Sequence, residues 1–249
     1  MQILAPNTVS VAELRDAVAH KGYGMLNADS VAQWAGCSAA ELHALSPSWA
    51  DMPADNYLKD GGRYRRRLHS SFVFEHNTLS QVPHRAHWQS LDYNALHGGM
   101  ERWFEPMHAD TVASPAWAKL LMALARTASE VRGTPHTKWC IEAHQFRIDT
   151  TDGIGRPTPE GAHRDGVDFV AVFMVNRTDI KGGETRVFEA NGPQGERFTL
   201  SEPWSLMLLD DTRVIHESTP IQPLAEGGHR DTLVLTCRAD KFQDAEPSA

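Results

Sequence analysis

Between Glu160 and Arg177 the chain reads EGAHRDGVDFVAVFMVNR, and three ionisable residues, His163, Arg164 and Asp165, stand at the mouth of a run apolar enough for a buried strand. Ionisable groups in such a place must be solvated, paired or bound to something. In an extended segment His163 and Asp165 share one face, while Arg164 points to the other. A neutral imidazole and a carboxylate on one face can fill two adjacent positions on a divalent metal. A third ligand must arrive from another strand, and His216, in the strand-like RVIHES, lies 216 − 165 = 51 residues beyond Asp165. Two histidines and one carboxylate on one side of a metal, with the other positions open, make the facial triad of non-haem Fe(II) sites. Further on, Arg230 in HRDTLVLTCR lies 230 − 216 = 14 residues past His216 and shares a face with Thr232. A guanidinium and a hydroxyl inside a small barrel form a carboxylate clamp. The alternative for a buried Arg230 is an inter-strand ion pair with a core acid such as Asp210 or Asp211.

The segments that must position these groups differ between the two halves. In the first half, Val11, Leu14 and Val18 keep helical spacing after Thr8 or Ser10, and SAAE at Ser38–Glu41 has capping-box form. SPAWAKLLMALARTASEVRG predicts a helix, with Ser114 as cap, Pro115 first, a stripe of Leu120, Leu121 and Leu124, and Gly133 as stop. From Thr137 onward six or seven short apolar or alternating runs are separated by Gly, Pro and Asn turns, which predicts a sandwich or jelly roll. The expected architecture is α+β in one domain, 1–249. Residues 1–135 form a mainly helical layer, 136–240 the jelly-roll core, and 241–249 a frayed polar tail.

Composition narrows the function classes. A net charge of −8 argues against a broad grip on nucleic acid. The basic run at Arg63, Arg65, Arg66 and Arg67 reads first as a solvated or ion-paired segment; a nucleic-acid contact or a seat for a substrate carboxylate are its alternatives. The apolar run Phe169–Val175 is far short of the roughly 20 residues that span a bilayer. Cys37, Cys140 and Cys237 lie far apart, as free thiols in a reducing compartment do, so a cytoplasmic protein is expected. His84 and His87 lack a partner at helical spacing and read as surface or core histidines. Trp34, Trp88, Trp103, Trp117 and Trp139 read as packing residues. Gln145 and Arg147 share a face of WCIEAHQFRI: either they reach a substrate, or His144 and Phe146 point inward and this pair faces away.

The order His163-x-Asp165, His216, Arg230-x-Thr232 resembles the Fe(II)/2-oxoglutarate-dependent dioxygenases. GAHRDGVDFVAVFMVNR followed by GGET, with DNYLKDGGRYRRR nearer the start, resembles the bacterial free-amino-acid hydroxylases of that family, the L-isoleucine hydroxylase group. The resemblance implies a double-stranded β-helix. It implies Fe(II) on His163, Asp165 and His216, with 2-oxoglutarate on Arg230 and Thr232, and O2 as oxidant. It also implies a free aliphatic amino acid as substrate. Such a substrate needs a cation, from Arg147 or the Arg63–Arg67 run, and an acceptor, from Glu142, Asp149 or a backbone carbonyl. Phe169, Phe173 and Val234 are then expected to line its side chain under a cover of N-terminal helices. Competing expectations are a cupin-like metal-dependent isomerase or hydrolase, a non-catalytic stress-response protein that kept the fold, and a protein or nucleic-acid hydroxylase. Oligomeric state and the position oxidised are not encoded in these motifs.

Overall fold

The computed structural model describes residues 4–134 and 137–245. Its helices begin and end where capping chemistry allows. α1 (Val11–Lys21) starts where the Glu13 carboxylate accepts from the Ser10 N–H at 3.0 Å. α2 (Ala28–Ala35) is followed by α3 (Ala39–His43), where Glu41 N donates to Ser38 Oγ at 3.2 Å and Ser38 N donates to Glu41 Oε2 at 2.7 Å. The short α4 (Ala109–Val112) precedes α5 (Pro115–Arg132), which opens on proline and stops at Gly133 in the left-handed conformation, φ 66°.

Twelve strands follow the chain: β1 (Tyr23–Leu26), β2 (Arg65–Glu75), β3 (Thr78–Gln81), β4 (Trp139–Asp149), β5 (Phe169–Thr178), β6 (Ile180–Gly182), β7 (Thr185–Glu189), β8 (Gly195–Phe198), β9 (Ser205–Asp210), β10 (Val214–Ser218), β11 (Ile221–Pro223) and β12 (His229–Ala239). Seven make one antiparallel sheet in the order β1-β9-β5-β12-β4-β2-β3; β10-β7-β8 and β11-β6 form the smaller sheets of a jelly roll. The large sheet is wider than the sequence predicts. The N-terminal half, expected to be mainly helical, supplies β1, β2 and β3 to it.

Strand alternation gives the large sheet two different faces. Phe169, Ala171 and Phe173 of β5, Leu233 and Leu235 of β12 and Ile141 and Ala143 of β4 pack in one cluster with Leu120, Leu121 and Leu124 of α5. The opposite face carries the polar residues. Along it, Val234 pairs with His144 and His144 with His69; Thr232 pairs with Phe146 and Phe146 with Arg67; Arg230 pairs with Ile148 and Ile148 with Arg65. Directly paired residues share a face, so these three rows face the jelly-roll interior. Phe169 and Phe173 therefore belong to the helix-facing core, and they do not line the interior as expected. The phase of the alternation in β5 is the reason: Val170, Val172 and Met174 point inward.

The C-terminal segment departs from the expected frayed tail as far as residue 245; residues 246–249 lie outside the described residues. Gln243 is buried, and Arg85 pairs with Asp244 and sits over the Phe242 ring at 4.1 Å. Cys37, Cys140 and Cys237 are free thiols. No helix of the described residues is long and apolar enough to cross a membrane.

Because the helix-facing cluster anchors the sheet from behind, Leu124→Ala, at a side chain with no exposure, should lower unfolding stability by about 2–5 kcal/mol. Urea denaturation followed by circular dichroism measures it; a loss under about 0.5 kcal/mol would show that the helices are not part of the cooperative core.

Candidate active site

Backbone pairing brings the distant members of the triad together. His163, in the loop between β4 and β5, and His216 on β10 each donate an N–H to the other's carbonyl at 3.0 Å, and their rings lie 4.6 Å apart. His216 Nε2 is 3.6 Å from Asp165 Oδ2, and His163 Nε2 is 3.9 Å from Asp165 Oδ1. One donor atom of each residue lies within 4.8 Å of the others. An ion with bonds of about 2.1 Å spaces ligands at right angles by about 3 Å, so small side-chain adjustments close the triad on a metal. The tautomer also fits. His163 Nδ1 is 2.9 Å from the Gly161 carbonyl, which can only accept, so Nδ1 carries the proton and the Nε2 lone pair faces the triad.

Asp211, whose side chain sequence reasoning did not place here, builds the turn that presents Asp165. Its Oδ1 accepts from Asp165 N at 2.9 Å, and its Oδ2 from Gly166 N at 2.8 Å and Val167 N at 3.1 Å. Gly166 is required there: φ is 78°, and a Cβ would lie 2.4 Å from the Tyr93 ring. The Gln243 amide donates to the Asp165 and Gly166 carbonyls at 2.8 and 2.9 Å, so the C-terminal segment straps the same turn. Burial and the Asp165 carboxylate push the Asp211 acid up to about 7. Burial, helped by His163, holds His216 down at about 3 and keeps its imidazole neutral for a metal.

The triad opens into a cavity of about 110 Å³. On one wall stand Arg230 and Thr232, both buried. Arg230 has no ion pair among the described residues and its Nε has no partner. Burial and the neighbouring Arg177 lower its pKa to about 10, so it stays charged at neutral pH. The acids considered as internal partners are engaged elsewhere: Asp210 binds Arg132 at 2.6 Å, and Asp211 holds the turn that carries Asp165. Val172, Met207 and Val234 give the cavity apolar surface.

The remaining wall comes from β2 and the loop 82–108, which has no helix or strand. Paired N–H···O contacts between His87 and Arg102, at 2.9 and 3.0 Å, pinch this loop closed over the cavity, on the side of the sheet away from the helices. Its Gln89 donates to Asp165 Oδ1 at 3.2 Å and accepts from Arg102 Nη2 at 2.9 Å and from Asn94 Nδ2 at 3.2 Å. The loop shows no hydrophobic period, so nothing in its sequence separates these residues from ordinary surface residues. The Arg63–Arg67 run divides by alternation. Arg63 is exposed and pairs with Asp152, and Arg66 pairs with Asp149 at 3.6 Å, whereas Arg65 and Arg67 point into the cavity. The period-two pattern Arg65, Arg67, His69, Ser71 was the available signal.

Gln145 and Arg147 do not reach the cavity. They occupy the other face of β4, where Gln145 donates to Ser48 Oγ at 2.7 Å and Arg147 forms a two-pronged pair with Asp231 at 2.7 Å. His144 and Phe146 point inward instead. Asp149 is engaged with Arg66, outside the cavity lining.

A second group of potential ligands, His69, His87, Glu142 and His144, is buried beside the cavity. Glu142 Oε1 accepts from His69 Nε2 at 3.1 Å and His87 Nδ1 at 3.3 Å, and Arg67 Nη2 donates to His144 Nδ1 at 3.0 Å. The hydrogen-bonding nitrogens of His69 and His87 thus carry protons, and a guanidinium stands in direct contact with the group. Burial would raise Glu142, but His87 and His69 hold it ionised well below its ordinary value. Burial lowers His87 to about 3 and His144 well below its usual range. A cation entering here would have to displace the protons that His69 and His87 donate to Glu142 and approach the Arg67 guanidinium, although His69 Nδ1 and His144 Nε2 have no partner among the described residues.

Comparison with known proteins gives a consistent result. A family model described as 2OG-Fe dioxygenase matches residues 46–236. The crystal structure of a bsmA homolog from Methylobium petroleophilum shares 47% identity, covers 99% of this chain and 100% of its own, and superposes with a TM-score of 0.91. IDO from Bacillus thuringiensis shares the fold at 18% identity and a TM-score of 0.76, covering 93% of this chain and 100% of its own. The Fe(II)/(alpha)ketoglutarate-dependent dioxygenase TqaL shares it at 19% and 0.67, covering 95% and 92%. No match is found among curated proteins.

The neutral buried imidazoles make the metal-free protein acid-sensitive. The unfolded chain takes up protons on His69, His87 and His144 below about pH 6.5, whereas the folded state resists until far lower. Stability must therefore fall as pH drops from 6.5. His163, raised by Asp165 and Glu160 against burial, and Asp211, raised to about 7 chiefly by burial, act in the opposite sense, but the lowered imidazoles, His216 among them, outnumber them. The thermal midpoint should fall by at least about 3 °C between pH 7.5 and 5.5; a rise would contradict the assigned protonation.

Proposed function

The chain belongs to the 2OG-Fe dioxygenase family, and on that premise we propose that it hydroxylates a free amino acid with an aliphatic side chain. It is an oxygenase that uses Fe(II), 2-oxoglutarate and O2. The observation that carries the reading is a single small cavity joining a two-histidine, one-carboxylate triad to a buried guanidinium that has no ion pair among the described residues. In this reading His163, Asp165 and His216 hold the iron. Arg230, with Thr232 beside it, receives the distal carboxylate of 2-oxoglutarate.

When bound, iron, 2-oxoglutarate and O2 supply the oxidation: one oxygen atom enters a substrate C–H bond, the other enters succinate, and CO2 leaves. The chain's residues prepare the site for it. Gly161 fixes the His163 tautomer, and the Gln89 amide holds Asp165 Oδ1, leaving Oδ2 toward His216. The loop 82–108 limits water entry, and Val172, Met207 and Val234 offer apolar surface to an aliphatic chain. A macromolecular substrate was favoured only by the arginine run, and two of its members, Arg65 and Arg67, are buried at 5% and 4% exposure. Three free thiols suit a reducing compartment such as the cytoplasm.

Succinate release with each of the twenty L-amino acids tests the substrate class. Aliphatic members should stimulate it and their methyl esters should do so weakly; equal stimulation by the esters would refute the reading. Arg230→Ala should raise the 2-oxoglutarate requirement by about ten-fold or more, since a lost charge-assisted bond costs ~1.5–3 kcal/mol. Arg230→Lys should recover only part, because an ammonium lacks the planar fork. Unchanged 2-oxoglutarate dependence in Arg230→Ala would put the clamp elsewhere.

A further inference from the structure

The cavity holds charged groups that neither the triad nor Arg230 uses. Arg65 is paired with Asp55 at 2.7 Å. Arg67 lies between the rings of Phe104 and Phe146, at 4.0 and 4.6 Å, and Arg102 donates to Gln89. Neither Arg67 nor Arg102 has an ion pair among the described residues, and the Nε of each is buried without a partner. Glu142, the acid behind them, is already shared by His69 and His87. On the metal side of the cavity stands Glu160, whose Oε2 is buried without a partner and whose Oε1 is 3.5 Å from His163 Nε2. Glu160 is close enough to act electrostatically on Arg102, yet the two form no ion pair.

Counting formal charges on these walls, Arg65, Arg67 and Arg102 oppose Asp55 and Glu142, which leaves one positive charge. Glu160 leaves one negative charge across the gap. Arginines without an ion pair and a half-buried carboxylate whose one charged neighbour is His163, held apart, are satisfied together by a ligand that carries both signs. A simple carboxylic acid leaves Glu160 unmatched, and a simple amine leaves the guanidiniums unmatched.

Resting on the reading that a free amino acid is the substrate, we propose that Arg67 and Arg102 seat its α-carboxylate and that Glu160 receives its α-ammonium. Arg147, on the far face of β4, plays no part. The clamp sets the head group against the arginine wall and Glu160. The side chain is left to the apolar patch of Val172, Met207 and Val234. Because Arg102 also donates to the Gln89 that holds Asp165, the carboxylate seat shares a hydrogen-bonded chain with a metal ligand.

The test is calorimetric binding to the enzyme loaded anaerobically with Fe(II) and 2-oxoglutarate. The probes are L-valine, L-leucine, L-isoleucine and L-methionine, their methyl esters, and their 2-hydroxy-acid counterparts. Wild type should bind at least one amino acid about 10–100-fold more tightly than its ester and its hydroxy acid, the range expected for one lost charged partner. In Glu160→Gln the gap between amino acid and hydroxy acid should close, with Fe(II) affinity retained. In Arg67→Met and Arg102→Met the gap between acid and ester should close. The wild-type series needs no variant to fold. The clamp is overturned if no amino acid binds, if the hydroxy acid binds as well as the amino acid, if Glu160→Gln keeps the gap, or if Glu160→Gln loses iron. Binding with these preferences but without succinate release would sink the substrate reading and leave the clamp standing. Succinate release with the gap intact in Glu160→Gln would do the reverse.

Discussion

Three guanidiniums, those of Arg67, Arg102 and Arg230, are buried around one small cavity, and no carboxylate among the described residues forms an ion pair with any of them. A charge taken out of water without a partner is strongly unfavourable. The protein tolerates it through local neutral donors, acceptors and ring faces, and because a large apolar cluster on the other side of the sheet stabilises the strands that carry them. The surplus of donors over acceptors makes the cavity suited to anionic groups. Both the proposed co-substrate seat and the proposed head-group seat draw on that surplus.

Sheet geometry makes the arrangement possible. A strand has a period of two, so β2, β4 and β12 can present Leu68, Ala143 and Leu233 to the helices while presenting Arg67, His144 and Thr232 to the cavity. The candidate metal site has a different origin. It is assembled at an edge, where a loop segment pairs with β10 through His163 and His216, and where Asp211 gathers three consecutive N–H groups. The carboxylate of Asp165 is held on both sides, by that turn and by Gln89. Such support fixes ligand direction, which decides metal affinity as much as ligand identity does.

That His163, Asp165, His216 and Arg230 converge on one cavity was legible in the sequence, because the residue types that metal and carboxylate recognition would need stand in a fixed order along strands. The residues misjudged were those for which only phase mattered. In β4 a shift of one residue decides whether Gln145 and Arg147 or His144 and Phe146 face the cavity, and the sequence around them is polar on both counts. The same one-residue ambiguity sent Phe169 and Phe173 to the wrong face of β5. The arginine run was read as a segment when it is an alternating strand. The loop 82–108 and the strap at Gln243 carry no periodicity, so their contacts with Asp165 appear only once the chain is folded.

Two clusters of histidine and carboxylate lie along the same cavity, and the protonation pattern separates them. His163 turns its Nε2 lone pair toward His216 and Asp165, and no guanidinium among the described residues pairs with that triad. His69 and His87 turn protons toward Glu142, and the Arg67 guanidinium donates to His144. Anomalous diffraction at the iron edge, from crystals loaded anaerobically with Fe(II) and 2-oxoglutarate, distinguishes them directly. A single iron peak bounded by His163, Asp165 and His216 is expected. A peak within the His69, His87, Glu142 and His144 cluster, or none at the triad, would contradict the assignment of the metal centre.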